Sequence, residues 1–405
     1  MVIGLIIDLN YIVIDDSILD YRGKPHPRLY ALPKFIEDMK IRPKIYVRRV
    51  KHLSRKNIEE RLDKLNILEF FEDSIDNGNP KAFYKKFYGK LGIAYGIESW
   101  IERRKVLHIT LGASFIHMPK EHLAKDLVCP GRFIANHYIN CPYNCLYCFV
   151  PRYFRVEPLV AKLNAPEAIR KELKTEKFNG RVVDIGSNCD PLSELDEYFR
   201  LTPAIIKEFR QSKSYLYILT KSHRISHIID VAKGMKNLLV GFTITHYDSK
   251  IKRIWEPHAS TYEEIKESIK RLAENQIRVA IRIDPIIAGY NDDPEVATKI
   301  ISDLSDYIEN VTVGTLRVVK PYTIRQIEAF NPKLARSIEK LYVEPGFDRK
   351  WRISIHRRIE IYKAIRELCE SKGIEWGLCN ETRKVHQELE PKRCICMATM
   401  RKATS

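Results

Sequence analysis

The sequence lacks any apolar run long enough to cross a bilayer. Its N-terminal run Val2–Ile7 is stopped by Asp8, whereas a spanning helix needs about 20 apolar residues in succession. No signal or membrane segment is expected there. Internal repeats and low-complexity segments are also missing, so neither a repeat array nor a biased tail is in view. Glutamine is scarce, isoleucine is abundant, and acidic residues are in deficit, with 52 against 69 basic ones for a net charge of +17. Such an excess suits a polyanionic partner through phosphate contacts and counterion release. The competing explanation is a thermophile's Lys- and Glu-rich surface. The nine cysteines are an odd number, and they cluster instead of spreading as a disulfide framework. A reducing, cytoplasmic compartment is therefore expected.

The organising stretch is CPYNCLYC, which sets Cys141, Cys145 and Cys148 at C-x3-C-x2-C spacing after a strand-like run, Arg132–Ile139. Three thiolates on one tight loop can hold three irons of a [4Fe-4S] cubane and leave the fourth open. An open iron is what S-adenosylmethionine needs, since its amino and carboxylate groups chelate there. Zinc is the alternative, but it wants four ligands, usually from two separated pairs. Cys129 or His137 would have to complete such a set, and the spacing does not suit a zinc ribbon.

The loop, with Tyr147 just before its last cysteine, resembles the signature of the radical S-adenosylmethionine (radical SAM) superfamily. From Arg132 onward strands and helices alternate with short connections, which points to a parallel sheet. Strands are expected at Arg132–Ile139, Arg181–Gly186, Tyr215–Thr220, Leu238–Thr245, Arg278–Ile287 and Val311–Val319. Six strands match the open (β/α)6 partial TIM barrel of that superfamily, whose site lies at the C-terminal strand ends. Between the fourth and fifth, Thr261–Asn275 reads as a helix with Ile265, Ile269 and Leu272 on one face.

Ahead of this core (132–330), residues 1–105 read as an α/β accessory domain and 106–131 as a connector. Within the accessory domain we expect strands at Val2–Asp8 and Lys44–Val47 and helices at Leu32–Met39 and Asn57–Leu65. Asp8, the segment ILEFFEDSID and Lys81 resemble the haloacid dehalogenase order. Asn10 replaces the second aspartate of the nucleophile motif, YVRR replaces the Ser/Thr motif, and the acidic metal-binding motif is missing after LHITLGAS. Phosphotransfer needs nucleophile, general acid and magnesium carboxylates together, so the resemblance implies a catalytically dead unit. Residues 331–405 form a helical extension, with one long helix from Arg357 and a short strand at Ile374–Leu378.

The segments GSNCDPLSELDEYFRLT, LTKSHRISHIID, FTIT, WEP and PIIAG, in this order, resemble the spore photoproduct lyase group and its DNA repair photolyase-like relatives. The resemblance implies that Lys221 pairs with the carboxylate of S-adenosylmethionine and that Thr243 hydrogen-bonds the same ligand. It further implies that Ser187 touches the ligand's polar end, that Ile287 packs on adenine, and that the Tyr147 backbone holds the adenine edge. Asp190 begins the same loop, and Glu256 reads as a loop anchor beside Arg253. Cys189 lies two positions from the lyase's hydrogen-donating cysteine and is the candidate catalytic thiol. Phe149 stands where the lyase has a second tyrosine, a departure that bears on thymine-dimer repair itself.

The C-terminal cysteines Cys379, Cys394 and Cys396, with Cys369 as a fourth, form a candidate second metal site for an auxiliary iron–sulfur cluster or zinc. The favoured function is radical SAM modification of a nucleic acid, as DNA lesion repair or RNA base modification, with ferredoxin or flavodoxin as electron donor. Modification of a protein or small molecule is the alternative within enzymes. A nucleic-acid-binding protein with a structural cluster is the alternative outside them.

Overall fold

The computed structural model describes residues 9–76, 80–93, 103–118, 127–129, 131–153, 158–346 and 348–400. The expected strand Val2–Asp8 and the side chain of Lys81 lie outside them. The first described strand, β1 (Tyr11–Asp15), carries a continuous apolar run, as a strand covered on both faces must. Ile12 and Ile14 face one core cluster and Val13 the other. β1 pairs in parallel with β2 (Lys44–Arg49), which in turn pairs with β3 (Phe71–Asp76). On its other side β1 takes β4 (Val106–Thr110). The expected helices are present at Leu32–Asp38 and Arg55–Asp63.

Two short strands follow, β5 (Ile116–His117) and β6 (Leu127–Val128). The strand expected over Arg132–Ile139 is divided between two sheets. Its first part, β7 (Phe133–Ala135), joins the barrel. After Asn136 and His137 the chain enters the N-terminal sheet as β8 (Tyr138–Ile139), antiparallel to β9 (Leu159–Lys162). β9 buries Leu159, Val160 and Ala161 alongside β4, giving the order β3-β2-β1-β4-β9-β8. The N-terminal sheet thus crosses the boundary expected near residue 105.

The second sheet is built from β7, β10 (Val182–Asp184), β11 (Tyr215–Thr220), β12 (Leu238–Thr243), β13 (Val279–Ile286) and β14 (Asn310–Thr315), all parallel. These are the six strands of the partial barrel. A small hairpin, β15 (Glu344–Pro345) with β16 (Trp351–Arg352), precedes β17 (Glu375–Leu378), and β18 (Glu381–Thr382) pairs antiparallel with β6. β17 adds a seventh parallel strand beside β14, and β5 caps the far edge antiparallel to β7.

Alternation along the strands sorts the two faces. Leu216, Ile218, Val240, Ile281, Val311 and Val313 pack under the helices. Tyr217, Leu239 and Ala280 face the concave side, where Ile395 and Cys396 of the C-terminal segment cover them. Helix Tyr262–Glu274 begins with a capping box of Thr261 and Glu264 and buries Ile265, Ile269 and Leu272, the face its periodicity gives. The long helix runs Ile355–Ser371. No helix among the described residues is long and apolar enough to cross a membrane.

Candidate active site

The cysteine loop leaves β8 and is fixed at several backbone points. The Cys148 N–H donates to the Cys145 carbonyl at 3.0 Å, the Leu146 N–H to the Trp255 carbonyl at 2.9 Å, and the Gln326 side chain to the Cys145 carbonyl at 3.1 Å. Asn140 and Asn144 hold left-handed backbone, with φ of 57° and 55°, a conformation asparagine tolerates better than most side chains. Asn140 also donates to the Pro158 carbonyl at 2.9 Å, tying the loop to the strand that follows it. Cys145 is buried, and burial pushes its thiol pKa up.

Burial likewise opposes ionisation of Cys141. Hydrogen bonding from Cys189 and from the backbone of Tyr143 and Asp190 nonetheless takes its thiol below the ordinary value. Cys189 is therefore not at a remove from the loop but against one of its thiols, with Sγ also 3.5 Å from the Asp190 carbonyl.

Two cations accompany the loop, Lys221 partly buried and Arg104 buried. Lys221 follows β11; burial opposes its charge, while Cys145, Glu256, Asp190 and Cys141 hold its pKa above the ordinary value. Those carboxylates are committed elsewhere. Asp190 accepts from Thr220 Oγ1 at 2.7 Å and from the N–H groups of Lys221 and Leu192 at 2.6 and 3.0 Å. Glu256 pairs with Lys252 at 2.7 Å and accepts from the Tyr147 hydroxyl. It anchors its loop as expected, but through Lys252 and not Arg253.

The second cation, Arg104, was not legible in the sequence. It precedes β4 in the N-terminal unit and is buried, with Cys141, Cys148, Cys145 and Tyr322 as neighbours. No local pattern marks it, because its partners lie more than thirty residues away.

Thr243 ends β12, buried among the strand ends. Ile287 is fully buried in the main core, its N–H held by Asn291 Oδ1 at 2.5 Å. Ser187 is engaged elsewhere: its hydroxyl donates to Asp184 Oδ2 at 2.7 Å, and Arg132 bridges the same carboxylate at 2.6 Å. Phe149 lies under Lys350, whose Nζ is 4.5 Å from the ring centroid. His137, the candidate zinc ligand, is buried between the sheets with Nε2 3.1 Å from Thr202 Oγ1, and burial lowers its pKa to about 4.

Of the C-terminal cysteines, Cys369 does not join the others. It lies in helix Ile355–Ser371, packed in the main core, where burial pushes its thiol pKa up to about 12. A helical residue facing the core cannot also reach a site on the concave face. Among the described residues no three Cys, His, Asp or Glu side chains already stand at metal-ligand spacing. That holds for the 141/145/148 loop as for the tail, so ligand sets are read from loop geometry and donor chemistry. By that test the loop fits a cubane cluster, with three thiols on one turn beside the cations Lys221 and Arg104.

The N-terminal sheet carries its own charged cluster. Arg48 donates through Nε and Nη2 to the two oxygens of Asp15 at 2.6 and 2.5 Å. His108 Nε2 is 2.8 Å from one oxygen and Thr110 Oγ1 2.6 Å from the other, while the Tyr84 hydroxyl is 2.5 Å from His108 Nδ1. Burial raises the Asp15 pKa, but His108 and Arg48 outweigh it and bring it down to about 2.

Residues 135–301 match the Radical SAM superfamily. An uncharacterized protein of Methanocaldococcus jannaschii is 28% identical over 233 residues, covering 55% of this chain and 80% of that relative. One of Mycobacterium tuberculosis is 23% identical over 189 residues, 44% of this chain and 56% of its own length. Among solved structures, spore photoproduct lyase complexed with dinucleoside spore photoproduct gives a TM-score of 0.63 at 14% identity, covering 92% of this chain and 98% of the lyase. A form with bound AdoMet and the same dinucleoside gives 0.60 at 14% identity, covering 91% and 98%. At such identities the likeness is one of fold, and it spans both sheets. These likenesses lend no support to the haloacid dehalogenase resemblance of the N-terminal unit. With the cysteine loop and the parallel strands around it, residues 135–301 thus form a radical SAM domain, and the chain is an enzyme of that chemistry.

Proposed function

We propose that this enzyme modifies a nucleic acid, as DNA lesion repair or RNA base modification. The observation that carries the reading is the net charge of +17 on a chain that shares the fold of a lyase solved with a dinucleoside photoproduct. Surface cations in such excess neutralise phosphates and release counterions. In this reading Cys141, Cys145 and Cys148 hold the [4Fe-4S] cluster, leaving one iron for S-adenosylmethionine. When bound, the pair supplies a 5′-deoxyadenosyl radical that abstracts hydrogen.

The remaining roles belong to the chain. Lys221 receives the ligand carboxylate, because its ammonium stands beside the loop thiols and its neighbouring carboxylates are already engaged. Thr243 offers a hydroxyl at the next strand end, Ser187 meets the ligand's polar end, the Tyr147 backbone holds the adenine edge, and Ile287 supplies apolar contact. Cys189 donates hydrogen to the product radical. A thiol against the cluster loop is well placed for that and shielded from water.

In this reading the chain divides into accessory unit, connector, core and C-terminal extension, although β4, β8 and β9 of the N-terminal sheet lie beyond the boundary near residue 105. An auxiliary metal centre in the tail, an electron donor such as ferredoxin or flavodoxin, and a cytoplasmic setting complete the reading. The test is binding of labelled single- and double-stranded oligonucleotides across a salt series. Affinity should fall steeply with salt, the slope reporting the phosphates neutralised. Binding absent at low salt, or indifferent to salt, overturns the nucleic-acid reading.

A further inference from the structure

The concave face of the barrel gathers four thiols from three separate segments. Cys379 directly follows β17, and its N–H donates to the Val313 carbonyl at 2.9 Å. Next to it runs the β18–β6 ladder, whose register pairs Glu381 with Val128 and Thr382 with Leu127. Continuing that antiparallel register brings Cys129 opposite Asn380, alongside Cys379.

The third segment crosses over β17 at Gly377. The Cys394 nitrogen lies only 2.4 Å from where a Cβ at Gly377 would stand, so any side chain there would push the tail away. Gly377 and Cys379 share a strand face, which sets Cys394 next to Cys379. The crossing is pinned by the Ile395 N–H on Thr312 Oγ1 at 2.7 Å and by Asn310 Nδ2 on the Arg393 carbonyl at 2.9 Å. Cys394 and Cys396 are hydrogen-bonded to each other, and Cys129 and Cys379 are both within electrostatic reach of Cys394.

The surroundings suit anionic sulfur. Arg282 Nη2 stands 3.0 Å from Cys379 Sγ, and Arg132 faces both Cys379 and Cys396. The Tyr217 hydroxyl, fully buried beside Cys396, has no hydrogen-bond partner among the described residues. A buried hydroxyl left unmatched is unfavourable unless something completes its shell. Tyr217 thus points to a group that belongs among these thiols.

We propose that Cys129, Cys379, Cys394 and Cys396 are the ligands of a second, four-thiolate metal centre inside the barrel. This deepens the auxiliary centre of the functional reading and changes its ligands, with Cys129 replacing Cys369. Four thiolates close the coordination of an iron–sulfur cubane or of zinc and leave no open position. Such a centre is thus distinct in kind from the three-thiolate loop. It binds the tail, the β6 segment and β17 into one knot.

The experiment is iron, sulfide and zinc per chain after anaerobic reconstitution, with no substrate present, so its outcome does not depend on the nucleic-acid reading. Wild type should hold about four irons at the loop plus a second complement, about four more irons or one zinc. Cys129→Ser and Cys394→Ser/Cys396→Ser should lose only that second complement, while Cys369→Ser keeps it. The triple variant Cys141→Ala/Cys145→Ala/Cys148→Ala should retain the second complement alone, read by Mössbauer or X-ray absorption spectroscopy, and does not require the tail variants to fold. Wild type with only one complement, a triple variant devoid of metal, or equal losses in Cys369→Ser and Cys129→Ser overturns the proposal.

Discussion

Both parallel sheets bury charge at the C-terminal ends of their strands, and they resolve it in opposite ways. In the N-terminal sheet Asp15 has a donor pair on each carboxylate oxygen, from Arg48 and His108 on one and Arg48 and Thr110 on the other. The carboxylate is fully matched, and only Arg48 Nη1 is without a hydrogen-bond partner among the described residues. At the strand ends of the barrel, Lys221 has thiols as neighbours, and the nearby carboxylates Asp190 and Glu256 are taken by Thr220, Lys252 and Tyr147. A closed network stabilises a fold; surplus charge beside soft donors is what a binding site holds in reserve.

The sharpest way to break the contrast is at the cysteines. Cys145→Ala should abolish assembly of a site-differentiated cluster and all 5′-deoxyadenosine formation, since one iron loses its only protein ligand. Anaerobic turnover with dithionite reads this, and wild-type product from the variant would refute the assignment.

Asp15→Ala is the counterpart in the closed network. Removing one partner of a buried pair leaves Arg48 uncompensated and should cost about 3–5 kcal/mol in denaturant unfolding. The 5′-deoxyadenosine formed per folded chain should stay at the wild-type level. A large fall in turnover with unchanged stability would make the N-terminal cluster functional and erase the distinction.

A smaller effect is expected from Lys221→Ala. A charge-assisted contact contributes about 1.5–3 kcal/mol, so affinity for S-adenosylmethionine should drop roughly ten- to a hundredfold by calorimetry. Iron content should not change. Full affinity would return Lys221 to a purely structural role among the strand ends.

At neutral pH the smallest effect lies where the two sheets meet. Burial depresses the His137 pKa to about 4 from an ordinary 6.5. Its contribution is therefore complete above pH 6.5 and is lost as pH falls toward 4, by at most about 1.4 kcal/mol per pH unit. His137→Asn should flatten the acid limb of a stability–pH curve by that amount, and an unchanged slope would show that other groups govern it.

Much of the barrel was legible because its signals are local. Buried parallel strands read as short apolar runs, and five of the six expected barrel strands lie where those runs do. The cysteine loop announced itself by spacing alone. What failed were features whose causes are distant in sequence. Arg132–Ile139 reads as one strand, yet it serves two sheets, because the break at Asn136 and His137 depends on partners in β9 and at Thr202. Cys369 looked like a fourth tail ligand by proximity, but helix phase turns it into the core. Cys129 was overlooked for the tail because only the pairing of β6 with β18 brings it there. Arg104 and Lys252 carry no motif; their meaning comes from what they face.

The path of the chain around the cysteine loop has a consequence for modularity. The loop is entered from β8 and the chain returns through β9, both in the N-terminal sheet, while Lys221 and Thr243 stand at strand ends of the barrel. The cluster is hung from one architectural unit and used by the other. Neither unit could be exchanged as a cassette during evolution, because a barrel excised at residue 132 would carry β9 with the edge that meets β4 bare. The N-terminal sheet thus holds both ends of the cysteine loop without contributing any of its thiols.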